Sequence, residues 1–186
     1  MARDGMANLL ARLRGMIDDS GTAIWSDNQC QDILDAHKLR VQREALAAEV
    51  TYTGGTTYVY TTYHSRLGDY EEGGTAYFNI EAADGTQRGT ADYTADYVRG
   101  HVVMDNDQAG TALYLTGWSY DLQGAAADLW RERAGKVSSY YNVTADGHNM
   151  SRSQWFTHCK DMAVMYATQA RAVTVRQWRH GVEDDR

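Results

Sequence analysis

The strongest constraint on this chain is the placement of its two hydrophobic periods. Residues 1–46 and 120–180 carry apolar side chains at helical spacing, whereas 50–118 is rich in Gly, Thr and Tyr and lacks a helical period. Both outer blocks must bury apolar stripes, and the shortest way is against each other. The middle block then projects from a helical base. The expected fold is α+β: a small antiparallel helical bundle, two helices from each end of the chain, with a central antiparallel β insertion. The expected boundaries are 1–49 and 119–186 for the helical base, with a C-terminal tail over about 174–186, and 50–118 for the inserted β subdomain.

Within the first block, Met6, Leu9, Leu10, Leu13 and Ile17 form one stripe, predicting a helix over about 5–18 that Gly21 ends. Ser26 and Gln29 then have the spacing of a capping box, with Trp25 and Cys30 placed as a hydrophobic staple. A second helix follows and fades between His37 and Ala47. In the last block Asp121 is the expected N-cap of a helix running to about Val137. A loop over 138–150 leads to Ser151 and Gln154, which repeat the capping-box spacing. The helix they open is expected over about 152–178, burying Trp155, Cys159, Met162, Ala163, Tyr166, Ala170 and Val173.

In the middle block, Thr51–His64 has a period of two with Gly54-Gly55 as a turn or bulge, and Thr75–Glu81 is a second strand ending at the turn signal Asp84-Gly85. Tyr97–Met104 and Thr111–Thr116 read as a hairpin joined by Asp105–Gly110. The segment 65–74 (SRLGDYEEGG) reads as an exposed loop. There is no proline, so turns must rest on Gly, Asp and Asn.

Charge narrows the function classes. The net charge is −7, with 9 acidic and 3 basic residues in 51–118, against 8 and 6 in 1–50 and 8 and 9 in 119–186. A nucleic-acid grip needs clustered Lys and Arg, and the β block has the opposite sign. Asp69, Glu71, Glu72, Asp105 and Asp107 are the candidate acidic surface. No apolar run reaches the roughly 20 residues of a membrane span, and no membrane partner is expected. The N-terminal segment contains Asp4, Asp18 and Asp19, and its apolar residues fall at helical spacing, unlike a signal peptide. Cys30 and Cys159 fall on apolar helix faces, as buried free thiols of a reducing cytoplasm do.

Catalytic and metal patterns are weak. Asp105, Asp107 and Gly110 resemble a calcium loop, but Ala109 and Thr116 stand where ligands are required. His148, His158 and Cys159 are close in sequence without convergent spacing, and no metal or cofactor is expected from them. No phosphate loop or nucleophile elbow occurs, so no enzyme activity is expected. The tyrosines and threonines of 51–63 offer an alternative reading, a carbohydrate- or receptor-binding module. At the other end, Trp178 flanked by Arg176, Arg179 and His180 has the composition of an interface anchor.

The stretch LYLTGWSYDLQGAAADLWRERAGK (113–136) and the Ser151–Gln154 helix entry resemble the head–tail connector (adaptor) proteins of long-tailed bacteriophages. Ile17-Asp18-Asp19 followed by Trp25-Ser26-Asp27 is similar too, and the resemblance covers about 1–40 and 110–178. It implies a non-catalytic structural subunit of the virion neck, assembled in the host bacterial cytoplasm. Such subunits form a ring, usually dodecameric, that binds the portal protein above and a stopper or other tail-side neck protein below. Double-stranded DNA passes through without specific binding, and the acidic residues named above would suit that lumen. The resemblance places portal docking in the C-terminal segment, here Val175, Arg176, Trp178, Arg179, His180 and Val182. A stopper or tail terminator is the related alternative, although such subunits are mostly β.

Overall fold

The computed structural model describes residues 3–54, 58–138, 143–145, 148–150 and 152–172, and it is a mixed α+β fold. A 3-10 turn at Asp4–Met6 leads into α1 (Ala7–Met16), and α2 follows at Asp27–Ala36. Seven strands come next: β1 (Lys38–Ala45), β2 (Ala47–Tyr52), β3 (Tyr58–His64), β4 (Phe78–Ala82), β5 (Tyr93–Asp96), β6 (His101–Met104) and β7 (Leu113–Tyr120). The chain continues through α3 (Leu122–Ser138), the short strands β8 (Val143–Ala145) and β9 (His148–Met150), and α4 (Arg152–Gln169).

The helix starts follow the local chemistry. Ser26 Oγ accepts the Gln29 amide at 3.3 Å, and Gln29 Oε1 accepts the Ser26 amide at 2.9 Å, which closes the capping box of α2. Asp121 Oδ1 accepts the Gly124 amide at 3.1 Å and caps α3. The α1 stripe of Met6, Leu9, Leu10, Leu13 and Ile17 is buried in one core with Trp25, Cys30 and Leu34. Leu129, Trp130, Cys159 and Ala163 close that core from α3 and α4. The connection between α1 and α2 is organised by Arg14 of α1. Its guanidinium donates to Asp19 at 3.0 Å and to the Trp25 carbonyl at 2.9 Å, and it also reaches Asp27, so the loop wraps one buried cation.

A second core lies between two antiparallel sheets, ordered β1-β7-β4 and β2-β3-β6-β5. Val41, Phe78, Ile80, Leu113 and Leu115 come from the first; Tyr63, Tyr93, Val102 and Met104 come from the second. β7 alternates buried and half-buried residues from Leu113 to Trp118, as a strand with one core face must. The chain leaves the helices and returns to them at one place. Lys38 is the register partner of Tyr120, and the Asp121 amide donates to the His37 carbonyl at 3.0 Å.

Several sequence expectations need correction. The second helix ends at Ala36, and the next residues form strand β1, paired with β7, within what reads as helical base. Leu39 and Val41 alternate with polar residues there, but a bulge between Val41 and Glu44, with Arg43 at φ 47°, breaks the period. The expected hairpin of Tyr97–Met104 with Thr111–Thr116 is absent. β6 pairs with β3 and β5, whereas β7 belongs to the other sheet. Asp105–Gly110 is therefore a connection between sheets, and β5–β6 is the true hairpin. At its turn the Val98 and Arg99 amides donate to Asp96, and Gly100 takes φ +67°.

The segment 65–74 is not an exposed loop. Tyr70 and Glu71 are each 1% exposed, and the Tyr70 and Glu71 amides donate to the Tyr97 and Trp118 carbonyls, tying both sheets. Burial pushes the Tyr70 hydroxyl up to about 12. Finally, α4 stops at Gln169 rather than near 178, because the Arg171 amide is captured by Asp121 Oδ2 at 2.8 Å. The loop expected over 138–150 holds the β8–β9 pair, and the Ser151 cap lies outside the described residues.

Candidate functional site

The sheet register builds one convergent polar group on the four-stranded sheet. His64 of β3 and His101 of β6 are direct register partners, so their side chains share a face. Ala47 of β2 opposes His64, and Glu49, two residues on, returns to that same face. The two imidazoles stack with centroids 4.6 Å apart and planes 3° from parallel. Glu49 Oε2 lies 2.9 Å from His64 Nε2. One ligand atom from each of Glu49, His64 and His101 falls within 4.8 Å of the others. The Nε2 atom of His101 is buried with no hydrogen-bond partner. Two imidazoles and a carboxylate are the donor set of first-row transition metals.

The acidic residues expected to share a surface divide into three environments. Glu71 is buried, and Arg3 Nε donates to it at 2.9 Å while the Tyr120 hydroxyl donates to its other oxygen. It belongs to the interior, not to a surface or lumen. Asp69 is half-buried and paired with Arg12, and half-buried Glu72 accepts a bond from the Asn8 side-chain amide at 3.3 Å. Asp105 and Asp107 are exposed. The Tyr60 and Ala109 amides donate to Asp107 at 2.9 Å and hold its carboxyl below the usual carboxylate range. Asp107 thus fastens the inter-sheet connection to β3.

The candidate docking residues Val175, Arg176, Trp178, Arg179, His180 and Val182 lie outside the described residues. The point from which they depart is well defined. Arg171 donates to Ser119 Oγ at 2.7 Å and to the Gly68 carbonyl at 3.1 Å, while its amide bonds Asp121. The C-terminal side of α4 is thereby fixed where β7 meets α3.

Among the described residues, α4 and the β2–β3 tip carry exposed apolar side chains. On α4, Val164 is 62% exposed, and Met165 and Trp155 are exposed as well, while Cys159 and Ala163 face the core. At the β2–β3 tip, Tyr52 and Tyr58 are 59% and 57% exposed with ring centroids 5.8 Å apart. The exposed apolar positions of α4 carried no separate signal in the sequence, because inward and outward apolar residues overlap along that helix. The Glu49–His64–His101 group was likewise invisible, since its members converge only through strand register. Among the described residues no helix is long and apolar enough to cross a membrane. Comparison with protein-family profiles, curated proteins and solved structures gives no match to the chain.

Proposed function

We propose that the protein is a structural head–tail adaptor of a phage neck, acting as a ring subunit beneath the portal and above the stopper or tail. The observation that carries this reading is the outward side of α4. The neighbouring residues Val164 and Met165 leave exposed apolar surface on α4 of the kind that neighbouring subunits cover. The Arg171 anchor supports it further, because residues 173–186, with Trp178 and its basic neighbours, depart from a fixed point on the base. In this reading the subunit resides in the virion, assembles in the host cytoplasm into a dodecameric ring, and surrounds double-stranded DNA without gripping it. Exposed Asp105 and Asp107 would face phosphates with like charge.

The test mixes the purified protein with its cognate portal and inspects the product by electron microscopy. A ring seated on the portal is expected. Truncation at Thr174 should abolish that attachment and leave the circular dichroism unchanged, because the described residues before it already build two hydrophobic cores. A persistent monomer that ignores the portal, or a truncated chain that unfolds, would overturn the proposal.

The Tyr52–Tyr58 pair favours a second reading, a carbohydrate- or receptor-binding module, since exposed paired aromatic rings suit stacking on a sugar face. Glycan-array binding that disappears in Tyr58→Ala would select it over the adaptor. An array without signal for the wild type would remove it.

A further inference from the structure

We propose that Glu49, His64 and His101 form a zinc site that clips three strands of the four-stranded sheet together. The site is separate from the apolar surfaces used above and does not depend on the neck assignment. Its geometry comes from backbone pairing. β3 and β6 place the two imidazoles opposite each other, and β2 delivers the carboxylate diagonally on the same face. The near-parallel rings, 3° apart in plane, present their edges side by side.

Zinc bonds to imidazole nitrogen at about 2.0–2.1 Å, which sets tetrahedral ligand atoms roughly 3.4 Å apart. The three ligand atoms here lie within 4.8 Å of one another. The side chains of His64 and Glu49, 46% and 58% exposed, have room to turn toward a shared ion. His101 is less free, and its Nε2 is buried with no hydrogen-bond partner. A buried ring nitrogen without a partner is the feature that a surface His–Glu ion pair leaves unexplained and a metal explains.

Zinc would take the place of the hydrogen bond between His64 Nε2 and Glu49 Oε2, with both groups as ligands. Asp96, the β5 register partner of His101, adds negative charge on this face while its Oδ1 accepts the Val98 and Arg99 amides. Three protein ligands leave a fourth position for water. The bound ion would tie β2 and β6 to β3 through side chains, in addition to the ladder hydrogen bonds.

The experiment uses the tag-free full-length chain, stripped with chelator and dialysed, then titrated with zinc chloride in a calorimeter. One equivalent per chain and a raised Tm are expected. Cobalt(II) in place of zinc should give the visible bands of a low-coordinate nitrogen and oxygen site. Loss of an outer-shell partner typically weakens a metal site by roughly 10–100-fold, so loss of a direct ligand in His64→Ala or His101→Ala should exceed that. Glu49→Gln should also weaken binding, while His158→Ala, on α4, should leave it unchanged. His64 lies on the exposed face, so its variant keeps the fold if His101→Ala does not. No stoichiometric binding by the wild type, or binding unaffected by His64→Ala, would overturn the site.

Discussion

Replacing Arg3 with alanine is expected to cost about 3–5 kcal/mol of folding stability, the range for removing one partner of a buried ion pair. The reason is what the guanidinium leaves behind. It donates to both oxygens of Asp35 at 2.8 Å and to Glu71 Oε1 at 2.9 Å, and it also reaches the Tyr120 hydroxyl at 3.0 Å. Glu71 is almost fully buried, so without Arg3 its carboxylate keeps only the Tyr120 hydroxyl as a partner. Tyr120 is itself held protonated, its hydroxyl pushed far up by burial and then by its bond to Glu71. These partners belong to α2, to the 65–74 segment and to the end of β7, so one side chain fastens the helical core to the sheets. Arg3→Lys should recover only part of the loss, because an ammonium cannot fork to two carboxylates. Urea denaturation of the three proteins at neutral pH reads the effect, and a loss below about 1 kcal/mol would place the guanidinium among weak surface pairs.

The same contact sets an acid dependence. The hydrogen bond from Arg3 holds the Asp35 carboxyl below the usual carboxylate range. A carboxyl with a depressed folded value binds its proton more readily in the unfolded chain. Its contribution is complete above the unfolded pKa of about 3.9 and is lost as pH falls through the folded value. Arg3→Ala removes the cause of that shift. The stability gap between the two proteins should therefore narrow below about pH 4.

These contacts mark the boundary of what the chain discloses locally. Ser26 with Gln29, and Asp121 with Gly124, are contacts between residues three apart, so a one-dimensional pattern contains them. The α1 stripe is equally local, and the mixed α+β class follows from where the two hydrophobic periods fall. The Glu71-Glu72 pair looks like solvated acid because its first partner, Arg3, sits at the far end of the chain. Strand β1 was hidden by its bulge: Val41 and Glu44 keep register with β7 only by skipping a step, which erases the alternation. The choice of sheet by β6 and β7 is a tertiary decision, since either could pair with the other through Asp105–Gly110 as judged from pattern alone. The Glu49–His64–His101 group shares that origin: its chemistry is present in the residue types, and its convergence is written in the register.

A tight backbone approach at Gly5 gives the second large effect. Gly5, in the turn before α1, accepts the Glu72 amide on its carbonyl at 3.2 Å. A Cβ added there would overlap the Glu72 carbonyl oxygen and lie 2.7 Å from its carbon. Both obstacles are backbone, so no rotamer change relieves them, and the two chain segments must separate. That movement breaks the Glu72–Gly5 bond and drags neighbouring Glu71 away from Arg3. Gly5→Ala should therefore cost about 3 kcal/mol or more, combining overpacking with a lost hydrogen bond. Gly15, on the exposed side of α1, has nothing within 4 Å of such a Cβ. Gly15→Ala should instead gain about 0.5–1 kcal/mol from helix propensity. Opposite signs for one chemical change, read by the same urea titration, separate contact from propensity. If both glycines tolerate alanine equally, the helical core and the sheets do not meet at Gly5 and Glu72. Arg3 would then be a surface residue, and the base could not hold sheet and C-terminal segment in the fixed relation that the adaptor reading requires.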